Sequence, residues 1–315
     1  MSIDSKKLYG VVVALKANYL FVDLEINHLF YDNYKQLKDS NLLRVLCTRR
    51  SRLNHVGLTV NVGDKVLVES IDLDQRRGVI SSVEPRKSFI KRPPIANFTD
   101  VFVVISLAEP EFNPNQVSRF LLAAEQTKQN VDLILTKKDL VDEHISNELI
   151  ALITGWGYKP IVLSIKNGEG IDYLINQLKS KQLSVLCGPS GVGKSSLINF
   201  LKPELSLSIG ELSKKLKRGR HITRHVELFK IGSDSFIADS PGFNRPDLNI
   251  NPYEFEFLFP EFRSSLSTRN CKFRNCLHLY EPGCVLDKNL NRYSEYKAYL
   301  EEQLILLRQY QADLN

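Results

Sequence analysis

Residues Leu183 to Asn199 constrain this chain more than any other stretch: they read LSVLC, then GPSGVGKS, then SLIN. A short apolar run suits a buried strand, and a strand that passes through GxxxxGKS into a helical pattern is the context a phosphate-binding loop requires. Gly188, Gly191 and Gly193 let the backbone turn tightly and aim its N–H groups at phosphate oxygens. Lys194 supplies a point charge to the outer phosphates, and the Ser195 hydroxyl is a ligand for Mg²⁺. Pro189, Ser190 and Val192 complete the loop, and Ser196 follows in the helix. The pattern predicts a nucleoside triphosphate site; the bland alternative is a Gly-rich turn with an incidental lysine.

At 315 residues the chain exceeds one ordinary core and predicts two or three domains. Hydrophobic content of 43% with 25% charged residues is that of a soluble globular protein. No apolar run approaches the ~18 residues of a membrane span, and the opening MSIDSKK lacks a signal peptide's apolar core. The expected location is the cytoplasm, or an organelle stroma, with no membrane partner. Of five cysteines, three crowd between Cys271 and Cys284 beside His278, which points to metal binding in a reducing compartment more than to a disulfide framework. The net charge of +6 is unevenly placed. Residues 1–98 hold 16 Lys and Arg against 10 Asp and Glu, whereas residues 99–315 hold 26 of each, so the excess that could meet a polyanion lies in the first third.

That first third reads as five short strands, from Tyr9, Tyr19, Leu42, Lys65 and Arg77, with a turn at Val62–Asp64. Five strands without a helix predict a small OB-like barrel, a fold whose open face commonly holds nucleic acid. Arg49, Arg50 and Arg52 form a charge run that is either a solvated loop or a set of guanidinium forks for phosphate. The stretch from Pro85 to Pro94 has the charges and prolines of an extended connector. Beyond it, buried strands at Val101, Val131 and Pro160 alternate with helices near 116–129, 146–155 and 171–180, which predicts an α/β domain with a mainly parallel sheet. The domains expected are therefore 1–92, an OB-like RNA-binding barrel; 93–250, an α/β nucleotide domain; and 251–315, a mainly helical metal-binding region.

Two strand ends carry further chemistry. Thr136-Lys137-Lys138-Asp139 resembles the NKxD element of GTPases, in which an Asp carboxylate accepts hydrogen bonds from guanine N1 and N2 while the Lys stem lies along the base. Adenine lacks that donor pair, which weakens the reading as a P-loop ATPase. Ser164-Ile165-Lys166 resembles the SAK element, whose backbone N–H meets the guanine carbonyl. Each alone is equally a strand-end turn; in one chain with a phosphate loop they reinforce each other. Thr136 stands where NKxD has Asn, so an amide contact is missing and weaker affinity is expected. After the phosphate loop, Asp239-Ser-Pro-Gly242 fits DxxG, with Asp239 orienting Mg²⁺ and the Gly242 N–H sensing the γ-phosphate. Thr223, between them, fits the switch threonine that completes the metal shell with Ser195 and Asp239. In an ordinary GTPase the phosphate loop and DxxG precede NKxD and SAK; here the order is reversed, as in a circularly permuted domain.

In the last region, Cys271-x4-Cys276-x-His278-x5-Cys284 supplies three thiolates and one imidazole, the ligand set of a closed, structural tetrahedral zinc site. Free core cysteines are the alternative, disfavoured by the polar Lys272, Arg274 and Asn275 between them. Cys47 and Cys187 read as plain buried thiols. A helical tail is expected from about Asn291 to Asp313.

A permuted GTPase with an OB-like barrel before it and a Cys-Cys-His-Cys knuckle after it resembles the family of ribosome small-subunit-dependent GTPases called RsgA or YjeQ. The segment from Gly219 to Leu228 is similar to that family's GRHTTRHVEL, with Ile222 in place of the first threonine. The resemblance implies a late-acting assembly factor that binds the small ribosomal subunit and its rRNA, hydrolyses GTP when stimulated by it, and then leaves; a monomer with Mg²⁺ at the nucleotide and one structural Zn²⁺ is expected. It also puts a switch-loop histidine, here His221, in the role of positioning water. Phe243 follows Gly242 where a Ras-like enzyme has a water-positioning glutamine, so slow unaided turnover is expected. Contact of His221 with phosphate or RNA is the other reading, and a GTP-regulated RNA-binding scaffold with negligible hydrolysis is the rival function.

Overall fold

The computed structural model describes residues 7–16, 19–25, 42–51, 53, 58–203, 226–239 and 250–313. His221, Thr223 and Gly242 lie outside the described residues, as does Arg52. The chain divides into two compact units, one of Met1–Val101, Asp172–Cys187 and Lys194–Asn244, the other of Phe102–Ile171, Gly188–Gly193 and Arg245–Asn315.

The first unit holds the expected barrel. Strands β1 (Leu8–Lys16), β2 (Tyr19–Glu25), β3 (Leu42–Arg49), β4 (Lys65–Asp72) and β5 (Arg77–Val83) close in the order β1-β2-β3-β5-β4, with β3 and β5 parallel and the other pairs antiparallel. Alternation drives closure: Val12, Leu20, Val22, Leu24, Val45, Val66, Val68 and Ile80 all point inward to one dry core. The expected turn at Val62–Asp64 is held by the Asp64 carboxylate, which accepts from Asn61 N at 2.8 Å and from Arg86 Nε at 2.7 Å. Gly63 sits at φ +87°, and a Cβ there would lie 2.0 Å from the Ala96 carbonyl oxygen, so only glycine fits. Asp64 is fully buried while Arg86 is about one-quarter exposed. Replacing Asp64 by Ala is therefore expected to cost about 2–3 kcal/mol, below the roughly 3–5 kcal/mol for breaking a fully buried pair because the Arg86 left behind is partly solvated, read as a shifted urea midpoint.

The stretch from Pro85 to Pro94 is not merely an extended connector. It forms a two-stranded hairpin of β6 (Phe89–Lys91) and β7 (Pro94–Ala96), because Ile90 and Ile95 pair in register and both are buried. Strands of three residues fall below what alternation in a sequence reveals.

The α/β sheet has the order β10-β9-β8-β11-β13-β12. Its strands are β8 (Asp100–Ser106), β9 (Asn130–Thr136), β10 (Ile161–Val162), β11 (Leu183–Cys187), β12 (Leu228–Lys230) and β13 (Phe236–Asp239). β9 and β10 run parallel, as do β11 and β13, while β12 is an antiparallel edge. Within the first unit the barrel adjoins that edge: Ala14 bridges Glu227, and Arg44 reaches Glu227 at 3.6 Å.

The helices are α1 (Pro114–Glu125), α2 (Glu143–Gly155), α3 (Ile171–Lys179) and α4 (Lys194–Leu201). The first two start two and three residues earlier than apolar periodicity suggests, because caps rather than the buried face set their ends. Asn113 accepts from Gln116 N at 3.0 Å with Pro114 in the first turn, and Asp142 accepts from Ile145 N at 2.8 Å. α1 ends at Glu125, not near Gln129, since Lys128 adopts φ +58°.

The C-terminal region, in the second unit, comprises a 3₁₀ helix (Pro252–Leu258), α5 (Pro260–Leu266) and the tail α6 (Tyr293–Asp313). Phe255, Phe259, Phe262, Tyr296 and Leu300 build its core against Leu122 of α1. Among the described residues, no helix is long and apolar enough to cross a membrane.

Candidate nucleotide site and metal centre

The GxxxxGKS loop lies between β11 and α4, as its flanks predict. Gly188, Gly191 and Gly193 all adopt positive φ, at +139°, +85° and +99°. At Gly188 a Cβ would meet the Val104 carbonyl oxygen at 2.1 Å, so the first loop glycine is required by β8 as well as by its own backbone. Lys194 opens α4 and is 9% exposed, followed by Ser195 and Ser196 in the first turn. Its charge is felt at the end of β11: burial pushes the Cys187 thiol up to about 12, and Lys194 pulls it the other way.

Thr136 ends β9 fully buried, and its hydroxyl lies 2.6 Å from the Val192 carbonyl oxygen and 3.2 Å from that of Ile105. A hydroxyl has one proton, so the shorter contact takes it. The residue that lacks an amide therefore still ties the TKKD turn to the phosphate loop. Lys137 follows at φ +61°, and its ammonium contacts the Glu109 carbonyl oxygen. Lys138 turns the other way to Glu169 and Glu143, at 2.7 and 3.1 Å, and those bonds raise its pKa. Asp139 Oδ1 accepts from Ser164 Oγ at 2.6 Å, and Ser164 Oγ accepts from Asn167 N at 3.2 Å. The TKKD and SIK elements are thereby one bonded unit, with Ile165 and Lys166 following Ser164 in the turn. A carboxylate has about four acceptor sites, so the Ser164 bond leaves room for a donor pair on a base.

Replacing Thr136 by Val keeps the shape and removes the donor. GTP affinity is expected to fall about tenfold, the effect of a buried carbonyl left unpaired beside the loop, as measured by fluorescent-nucleotide titration.

Asp239 ends β13, where its backbone pairs with Leu186 of β11, one strand from the phosphate loop's origin. In the basic run of the barrel, Arg50 is engaged with Glu69 at 2.7 Å while Arg49 is exposed.

The knuckle gathers Cys271, Cys276, His278 and Cys284 so that their ligand atoms lie within 4.8 Å of one another. His278 Nδ1 stands 3.6 Å from the Cys271 and Cys276 Sγ atoms and 3.3 Å from that of Cys284. A zinc tetrahedron with Zn–S of about 2.3 Å and Zn–N of about 2.0–2.1 Å has S···N edges of about 3.6 Å, so the donor set fits that ion. Two residues that no spacing in the sequence signals support the knuckle. Glu281 accepts from the backbone N–H groups of Leu277, Leu279 and Tyr280 at 2.8–3.1 Å. Burial pushes its carboxyl up, and the backbone donors outweigh burial and hold it below the usual carboxylate range. The other, Glu256, contacts His278 Nε2.

A family model described as RsgA GTPase matches residues 83–249. The chain is 55% identical over 304 residues, 96% of its length and 98% of the relative's, to a small ribosomal subunit biogenesis GTPase RsgA of Prochlorococcus marinus. It is 51% identical over 93% of its length, and 95% of the relative's, to the protein of the same description from Parasynechococcus marenigrum. The fold is similar to the crystal structure of YjeQ from Thermotoga maritima, with TM-score 0.76 and 28% identity, covering 95% of this chain and 99% of that one. It is also similar to YloQ, described as a circularly permuted GTPase, with TM-score 0.75 and 27% identity, covering 96% of each. With the model spanning more than half the chain and this identity holding over nearly its whole length, the chain belongs to the RsgA GTPase family.

Proposed function

We propose that this GTPase acts in assembly of the small ribosomal subunit, binding the subunit through its rRNA and hydrolysing GTP to GDP and phosphate when the subunit stimulates it. The bond from the Thr136 hydroxyl to the Val192 carbonyl oxygen, at 2.6 Å, is the observation that carries the nucleotide half of this reading, because it joins a base-recognising turn to a phosphate-binding loop. In the proposal Asp139 selects guanine, Lys137 lies along the base, and Ser164, Ile165 and Lys166 frame its carbonyl. The backbone of Gly188–Gly193 and the Lys194 ammonium bind the phosphates. Ser195, Thr223 and Asp239 hold Mg²⁺, Gly242 senses the γ-phosphate, and His221 positions the attacking water. Cys271, Cys276, His278 and Cys284 hold one structural Zn²⁺.

The proposed division of labour is an RNA-binding barrel in 1–92, the permuted GTPase in 93–250 and the zinc region in 251–315. The protein works as a monomer in the cytoplasm. The partner half rests on the relatives' descriptions and on the basic excess of the first third. Cosedimentation with purified small subunits at stated salt tests it. Binding at least about tenfold tighter with a non-hydrolysable GTP analogue than with GDP is expected, the differential affinity a nucleotide switch needs. Failure to sediment with subunits in either state would remove the subunit from the account.

A further inference from the structure

An imidazole that ligates a metal through one nitrogen must carry its proton on the other, and whatever accepts that proton decides which nitrogen is free. In the knuckle the nitrogen facing the three thiols is Nδ1, and Nε2 faces the opposite way into hydrogen-bond contact with Glu256 Oε2. Both partners are sheltered, with His278 3% exposed and the Glu256 side chain 18% exposed. Glu256 reaches this place from a separate element, the 3₁₀ helix Pro252–Leu258, whose Phe255 and Leu258 are locked into the C-terminal core. The opposite face of the histidine is fixed too. Its backbone takes φ +57°, in the left-handed region, and its carbonyl accepts from Tyr293 Oη at 2.8 Å.

We propose that Glu256 is the positioning residue of the metal centre: its carboxylate accepts the Nε2 proton of His278, holds the tautomer whose Nδ1 lone pair faces the thiols, and pins the 3₁₀ helix to the knuckle. The inference rests on reading the Cys-Cys-His-Cys cluster as a zinc site. Removing an outer partner of this kind costs metal affinity without removing a ligand. Glu254, exposed on the same helix, serves as the control.

The test uses the full-length protein loaded with zinc and titrated with a chromophoric chelator. Glu256→Ala is expected to weaken zinc binding about 10–100-fold, with Glu256→Gln, which keeps an acceptor oxygen, falling between it and the parent, and Glu254→Ala matching the parent. Nitrogen-15 spectra of the zinc-loaded parent and of Glu256→Gln are expected to show His278 bound through Nδ1 and protonated at Nε2. This readout holds even if the alanine variant does not fold. Zinc affinity of folded Glu256→Ala equal to the parent's, or ligation through Nε2, would overturn the proposal. A parent protein that takes up no zinc would instead overturn the reading of the cluster itself.

Discussion

Replacing Arg292 by Ala is expected to destabilise the second unit by about 3–5 kcal/mol, the range for leaving a buried charge without its partner. Arg292 is fully buried, and its Nε and Nη2 atoms donate to the two carboxylate oxygens of Glu261 at 2.7 Å each. Its guanidinium lies 5.0 Å from the Trp156 ring, 4.8 Å from Phe259 and 5.7 Å from Tyr158. Burial works against the charge, but Glu261 and Tyr158 together outweigh it, and the pKa of the group is raised. The planar fork and the ring faces are what Lys lacks, so Arg292→Lys is expected to recover only part of the loss. Exchanging both partners, Arg292→Met with Glu261→Leu, is expected to recover most of it, because no orphaned charge remains. Trp156 is the chain's one tryptophan, so its fluorescence during urea unfolding reports this site without a label.

Asp139→Ala is expected to erase most of the preference for GTP over ATP, a change of about 10²–10⁴-fold in the affinity ratio. A site built to pair a substrate's donors rejects an analogue lacking them by about 10⁴–10⁵, and the backbone contacts to phosphate do not depend on the base. The carboxylate accepts from Ser164 Oγ at 2.6 Å, and Ser164 is itself buried. Competition titrations with both nucleotides measure the ratio, and an unchanged preference would withdraw the guanine assignment from the TKKD turn.

Much of this architecture is legible in the sequence, for reasons that differ from place to place. The barrel strands show because each has one face inward, and the phosphate loop because its glycines and lysine serve backbone geometry and charge at fixed spacing. TKKD and SIK, each alone equally a strand-end turn, show only in company with the phosphate loop. Arg292 is different: a lone arginine reads as surface, and only tertiary packing brings Glu261, Trp156 and Phe259 around it. Glu256 is hidden for the same reason, since it stands 22 residues from His278 on another element. Thr136 reads as a lost amide, whereas the fold turns its hydroxyl onto the phosphate loop. The hairpin at Phe89–Ala96 is too short to announce itself by periodicity.

The most direct measurement of the central claim is the steady-state rate of GTP hydrolysis with and without purified small ribosomal subunits, at fixed Mg²⁺ and stated salt. The account predicts slow turnover alone and stimulation by about 10² or more with subunits, abolished in Lys194→Ala and strongly reduced in His221→Ala. Binding to subunits with no rise in the rate would contradict it, and would leave a nucleotide-controlled RNA-binding scaffold in its place.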